Sequence, residues 1–153
     1  MLKIILSQWE NNKDELRAML ASRTDLNEVE YKDLVKMTFD VVYNTGLSDY
    51  NCLDTNKIHE IDDGDYQGTL LYLIPFDRYQ PGEYEYLMTC VGYGSCSGCD
   101  TLQAIQGWGS GELTNRQIDD FMALCKDILT NTIKPYNYGW REDEEFEHVE
   151  EGK

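Results

Sequence analysis

The stretch GTLLYLIPFDRYQPGEYEYLMTCV, residues 68–91, decides the fold. Its first part, residues 68–75, is a short run of strand-forming apolar residues that ends at Pro75, where the lost N–H stops a ladder. Residues 76–82 form a connection, with Pro81-Gly82 as its turn signal. Residues 84–91 then alternate: Tyr84, Tyr86, Met88 and Cys90 share one face, and Glu85, Leu87, Thr89 and Val91 share the other. Two such runs joined by a short polar link predict an antiparallel hairpin. A third run at residues 57–62, followed by the turn Asp62-Asp63-Gly64-Asp65, extends the hairpin to a three-stranded meander.

Outward from the hairpin the period changes to that of helices. Residues 7–22 read as a first helix, with Ser7 and Glu10 as a capping box and Trp9, Leu16, Met19 and Leu20 as its apolar stripe. Residues 27–45 read as a second, capped by Asn27 with Glu30, carrying Tyr31, Leu34, Val35 and Val42 on one face and stopped by Gly46. On the other side, residues 100–105 form a short helix with Asp100 as N-cap and Gln103 three residues on. Residues 107–111 (GWGSG) break the chain, and Thr114 with Gln117 opens a helix over 115–131. Its stripe is Ile118, Phe121, Met122, Cys125 and Leu129, and Pro135 closes it. The expectation is α+β: one domain over residues 1–140, a short antiparallel sheet packed with about four helices. Residues 141–153 (REDEEFEHVEEGK) have the composition of a solubilising, disordered acidic tail. A chain of 153 residues suits one domain that buries its core without disulfide or metal.

Charge is the strongest bulk signal. There are 29 acids against 13 bases, a net −16. Residues 58–110 hold eight acids and a single base, Arg78, while residues 1–57 are nearly balanced. Such a field repels nucleic acid and anionic membranes and attracts basic surfaces, which excludes direct DNA or RNA binding through a broad basic patch. The candidate partner-binding acids are Asp62, Asp63, Asp65, Glu83 and Glu85 in the hairpin region, and Glu142, Asp143, Glu144 and Glu145 in the tail. No stretch reaches the length of a membrane span, and the N-terminal apolar run is too short for a secretory leader. The expected location is the cytoplasm, where five cysteines read as reduced thiols or ligands.

The loop GYGSCSGCDTLQ, residues 92–103, has three readings. The simplest is a strand-to-helix turn whose glycines supply unusual dihedrals and whose cysteines are small hydrophobes. The second is a zinc site, with Cys96 and Cys99 joined by Cys90 and a fourth ligand from Cys52 or His59; no second C-x-x-C or spaced histidine pair completes it. The third is a thiol redox pair at a helix N-terminus, but the βαβ unit that usually carries one is missing. The only histidines, His59 and His148, form no triad with neighbouring residues. Asp62-Asp63-Gly64-Asp65 lacks the spacing of an EF-hand, and residues 107–111 lack the lysine of a P-loop.

Residues 68–105, and above all Tyr93-Gly94-Ser95-Cys96-Ser97-Gly98-Cys99-Asp100-Thr101-Leu102-Gln103, resemble small acidic uncharacterised proteins encoded by bacteriophages and prophages of Gram-positive bacteria. The resemblance implies an accessory protein acting in a bacterial host cytoplasm. It carries over no catalytic residue. An anti-defence role fits it, since phage inhibitors of CRISPR or restriction enzymes are often small and acidic. Residues and resemblance together lead to the expectation of a non-enzymatic protein that binds a basic surface of a host or phage protein. Its carboxylates would then imitate the phosphates of a nucleic acid. The alternatives are a zinc-binding or thiol protein built on the cysteine loop, and a phage structural or assembly factor.

Overall fold

The computed structural model describes residues 2–65, 67–95, 100–107 and 113–134. Its elements are α1 (Leu2–Ser22), α2 (Tyr31–Thr38), β1 (His59–Asp62), β2 (Gly68–Pro75), β3 (Tyr86–Tyr93), α3 (Thr101–Gln106) and α4 (Asn115–Thr130). A π-helical turn, Phe39–Tyr43, prolongs α2, and the short 3-10 turns Asp49–Asn51 and Thr55–Lys57 lead into β1. The three strands form one antiparallel sheet in the order β1-β2-β3. This is the α+β meander that the sequence predicts.

Among the described residues, one face of the sheet is covered. Leu70 pairs with Val91, Tyr72 with Thr89 and Ile74 with Leu87, so these side chains point to the same side. They meet α4, whose stripe Ile118, Phe121, Met122, Cys125 and Leu129 is buried as expected, together with Leu124 and Ile128. The Thr89 hydroxyl donates to the Ile128 carbonyl at 2.6 Å, tying β3 to the last turn of α4. Helices α1 and α2 pack against α4 from behind. Beyond α4 the chain returns to the sheet, and Ile133 and Met88 exchange two backbone hydrogen bonds of 2.8 Å on the outer edge of β3.

Element boundaries moved where burial outweighs a cap. Helix α1 starts at Leu2, not Ser7, because Ile4 and Ile5 extend its buried face by a turn. Ser7 and Glu10 therefore lie inside the helix, and Glu10 pairs instead with Lys13. Met19, expected in the core stripe, is exposed. Helix α2 starts at Tyr31 with a capping box between Glu30 and Asp33, three residues beyond the expected Asn27 cap. The intervening turn buries Leu26 and Val29. Strand β3 runs two residues later than the alternation suggested, since Glu85 closes a turn onto Gly82 before pairing begins.

Helix α4 has the capping box read from the sequence. The Thr114 hydroxyl accepts from Gln117 N at 3.1 Å, and Gln117 Oε1 accepts from Thr114 N at 3.0 Å. Thr114→Ala is expected to lower stability by about 1 kcal/mol, read as a shift in the urea midpoint; an unchanged midpoint would show that packing alone sets this end.

Candidate functional site

The acids that the sequence singles out in the hairpin region gather at the two ends of β2. At one end, β1 and its turn carry Asp62, Asp63 and Asp65, and Glu60 stands further along β1 opposite Tyr72, all four exposed. At the other, the connection from β2 to β3 carries Asp77, Glu83 and Glu85. Eight residues of strand separate the ends by about 26 Å.

At the β1 end the carboxylates are held in place. Tyr93 OH donates to Asp62 Oδ1 at 2.6 Å, and Gly64 N donates to the same oxygen at 3.0 Å. These bonds hold the Asp62 carboxyl below its usual range, so it stays charged. The same bond pushes the Tyr93 hydroxyl up to about 12. Asp63 Oδ1 accepts from Thr69 N at 2.6 Å while Asp63 N donates to Thr69 O at 3.2 Å, so this aspartate locks the turn onto β2. The turn depends on two glycines in close contact. A Cβ on Gly64 would sit 2.2 Å from Gln67 O, and one on Gly68 would sit 2.8 Å from Asp63 Oδ1. Glu60 accepts from the buried Tyr72 OH at 2.8 Å. Burial first, then the Glu60 bond, keep that hydroxyl neutral far above its ordinary value.

The far end differs. Arg78 Nε donates to Glu85 Oε2 at 2.7 Å, and Gly82 N to Glu85 Oε1 at 3.1 Å, so Glu85 is engaged within the chain. The Arg78 guanidinium also stacks 3.8 Å over the Tyr50 ring. Glu83 is exposed, and Tyr79 in the same connection is 94% exposed.

The cysteine loop has a defined stem. Asp100, 4% exposed, caps α3 by accepting from Gln103 N at 2.8 Å, as the sequence predicts. Its other oxygen accepts from Gly94 N at 3.0 Å and from Tyr31 OH at 3.1 Å. The Tyr31 oxygen in turn accepts from Leu102 N at 3.0 Å. Thus the end of β3, the start of α3 and the first residue of α2 meet on one carboxyl. Cys96 and Cys99 lie outside the described residues, as do Glu142, Asp143, Glu144, Glu145 and His148. Cys90 sits in the middle of β3, opposite Leu71, on the face away from the helices. Cys52 donates weakly to the Asn44 and Leu47 carbonyls. Among the described residues no three His, Cys, Asp or Glu side chains come together as metal ligands.

Sequence reasoning found Asp62 and Asp100 but not their tyrosine partners, Tyr93 and Tyr31. The signal was present in the eleven tyrosines of an acid-rich chain: a half-buried tyrosine needs an acceptor for its hydroxyl, and here carboxylates supply it. No helix among the described residues is long and apolar enough to cross a membrane. Comparison with known proteins returns no matching family model, no matching curated protein and no matching solved structure.

Proposed function

We propose that the protein is a non-enzymatic, phage-type acidic protein that binds a basic surface of a host or phage protein, one that itself handles nucleic acid. The observation that carries this reading is the anchoring of the β1-end carboxylates: Glu60, Asp62 and Asp63 each accept a hydrogen bond from β2, β3 or the turn. Charges fixed before contact lose little side-chain entropy on binding. Mobile surface acids would give that advantage up. A net −16 steers a basic partner toward them. A channel built for phosphates would accept such fixed carboxylates in their place, with the same sensitivity to salt. Inhibition of a nucleic-acid-processing or defence enzyme is the activity this binding would produce.

The test is capture from a bacterial lysate by the tagged chain, washed across a salt series. The expected partner is a nucleic-acid-handling protein whose affinity falls roughly 10³-fold between about 50 and 200 mM salt. The triple variant Asp62→Asn, Asp63→Asn, Asp65→Asn is expected to weaken it about tenfold, each lost charge contributing up to about 1 kcal/mol. Asparagine keeps the Oδ1 acceptors of Asp62 and Asp63, so the turn survives. Binding indifferent to both salt and these substitutions would defeat the proposal.

A further inference from the structure

Among the described residues the chain meets only one of the sheet's two edges. On β3 the edge is met by Ile133. On β1 it is bare, and all four residues, His59–Asp62, are exposed. Register says which backbone groups stand open. Asp63 N donates to Thr69 O, and these two residues continue the β1–β2 register by one step. Bonded pairs of an antiparallel ladder recur at every second residue. His59 and Ile61 therefore turn their N–H and C=O groups to β2. Glu60 and Asp62 turn theirs outward, where no described residue meets them. The side chains of these two residues are carboxylates, and both are held against the sheet, Glu60 by Tyr72 OH and Asp62 by Tyr93 OH. Ile61 between them points to the apolar outer face, in a row with Leu71 and Cys90, and is 46% exposed. An open edge of this kind is a template for a further strand.

Register and charge together select that strand. A residue bonded opposite Glu60 or Asp62 would stand about 5.5 Å away on the same face. There a lysine or arginine adds an opposite-charge pair, while an acid is destabilising. A residue opposite Ile61 falls on the outer face and extends its apolar row. A second copy fails this test, because antiparallel pairing of two β1 edges about Ile61 sets Glu60 against Asp62 twice. The acidic residues 141–153 fail it for the same reason. The only lysine or arginine in residues 54–65 is Lys57, which precedes the strand and pairs with Asp54 at 3.7 Å. We propose that β1 takes up an antiparallel strand of the partner protein that alternates basic and apolar residues, with basic side chains opposite Glu60 and Asp62 and an apolar one opposite Ile61. The inference rests on the partner-binding reading above and adds the edge and the form of the partner.

Amide hydrogen exchange of the full chain, read residue by residue by NMR, tests the proposal. The probe is a synthetic peptide of about eight residues alternating lysine and valine, an ordinary strand length. In the free chain the Glu60 and Asp62 amides are expected to exchange fast. At saturation the peptide is expected to slow both at least tenfold. N-methylation of its lysine amides, which would face β1, is expected to abolish the protection, and N-methylation of its valine amides to leave it. The double variant Glu60→Gln, Asp62→Asn keeps an acceptor for each tyrosine and is expected to bind the peptide about tenfold more weakly. Unchanged protection by the lysine-methylated peptide would mean that charge binds without a strand, and overturns the proposal. Equal protection by a peptide alternating glutamate and valine overturns the charge pairing and with it the proposal. So does a lysine peptide that protects neither amide, meaning that the carboxylates only guard the edge. So do amides already slow in the free chain, meaning that the edge is closed by the chain itself or, where the rate depends on protein concentration, by a second copy. Capture indifferent to salt with the peptide's protection retained would count against the proposed function alone. Salt-dependent capture without protection at Glu60 and Asp62 would count against this inference alone.

Discussion

Asp100→Ala is expected to destabilise the fold by about 4 kcal/mol, measured by urea unfolding. The substitution removes the N-cap of α3, worth about 1 kcal/mol. It also leaves Gly94 N and Tyr31 OH, both buried at the stem, without their acceptor, at about 1–3 kcal/mol each. Asp100→Asn keeps one acceptor oxygen but turns an amide donor toward another donor, so roughly half the loss is expected. If Asp100→Ala costs under about 1 kcal/mol, the stem is held by its glycines and not by this carboxyl. Tyr31 adds a pH signature. Burial, reinforced by the Asp100 charge, pushes its hydroxyl up to about 12 from an ordinary 10. The folded state then holds its proton more tightly than the unfolded chain does. The stability this supplies is complete below about pH 10 and is lost as pH rises toward 12. Tyr72 shifts the same way. Tyr31→Phe is expected to flatten the fall in stability over that window, besides lowering stability throughout through the lost hydrogen bonds.

The sequence made the sheet legible because its signals are local. A proline ended β2 where its pattern ended, and the Asp-Asp-Gly-Asp turn set the β1–β2 pairing. The caps of α3 and α4 were equally readable, since Asp100 with Gln103 and Thr114 with Gln117 bond within their own first turns. Helix starts failed where distant burial decided them. Nothing near Ser7 says that Ile4 and Ile5 will be covered by other elements, and that coverage carries α1 past its expected cap. The candidate site was half legible. The acids were visible as charges, but their anchoring by Tyr72 and Tyr93 depends on strand register, which places residues 12 and 31 positions apart in contact. The apolar outer face was written in the unbroken run of β2, although strand period alone does not say which of its two sides the helices take.

The double substitution Gln8→Met with Asn12→Leu is expected to cost about 4 kcal/mol. These two buried amides stand four residues apart on α1, within the apolar stripe of Ile5, Trp9 and Leu16. They face the π-helical turn that ends α2. In such a turn each carbonyl bonds five residues ahead, as Phe39 O does with Asn44 N at 2.9 Å, and the following carbonyls lose their regular donors. Gln8 Nε2 donates to Tyr43 O at 2.7 Å and Thr45 O at 2.9 Å. Asn12 Nδ2 donates to Val42 O at 2.9 Å and Thr45 O at 3.2 Å. Two side chains of α1 thus complete the backbone of another helix, and they dock the two helices together. Methionine and leucine keep the volume and leave the carbonyls buried and unpaired, at about 1–3 kcal/mol per site. Both amides serve Thr45 O, so the effects are coupled: once one is gone, the other still partly satisfies that oxygen. The double variant is therefore expected to lose more than the two single variants combined, by about 0.5–1 kcal/mol in a double-mutant cycle. If both single variants are neutral, the π turn is held by the packing of Phe39 and Val42 alone, and the amides are passengers in the core. If the losses are large but strictly additive, Thr45 O is not the shared acceptor, and each amide serves its own carbonyl.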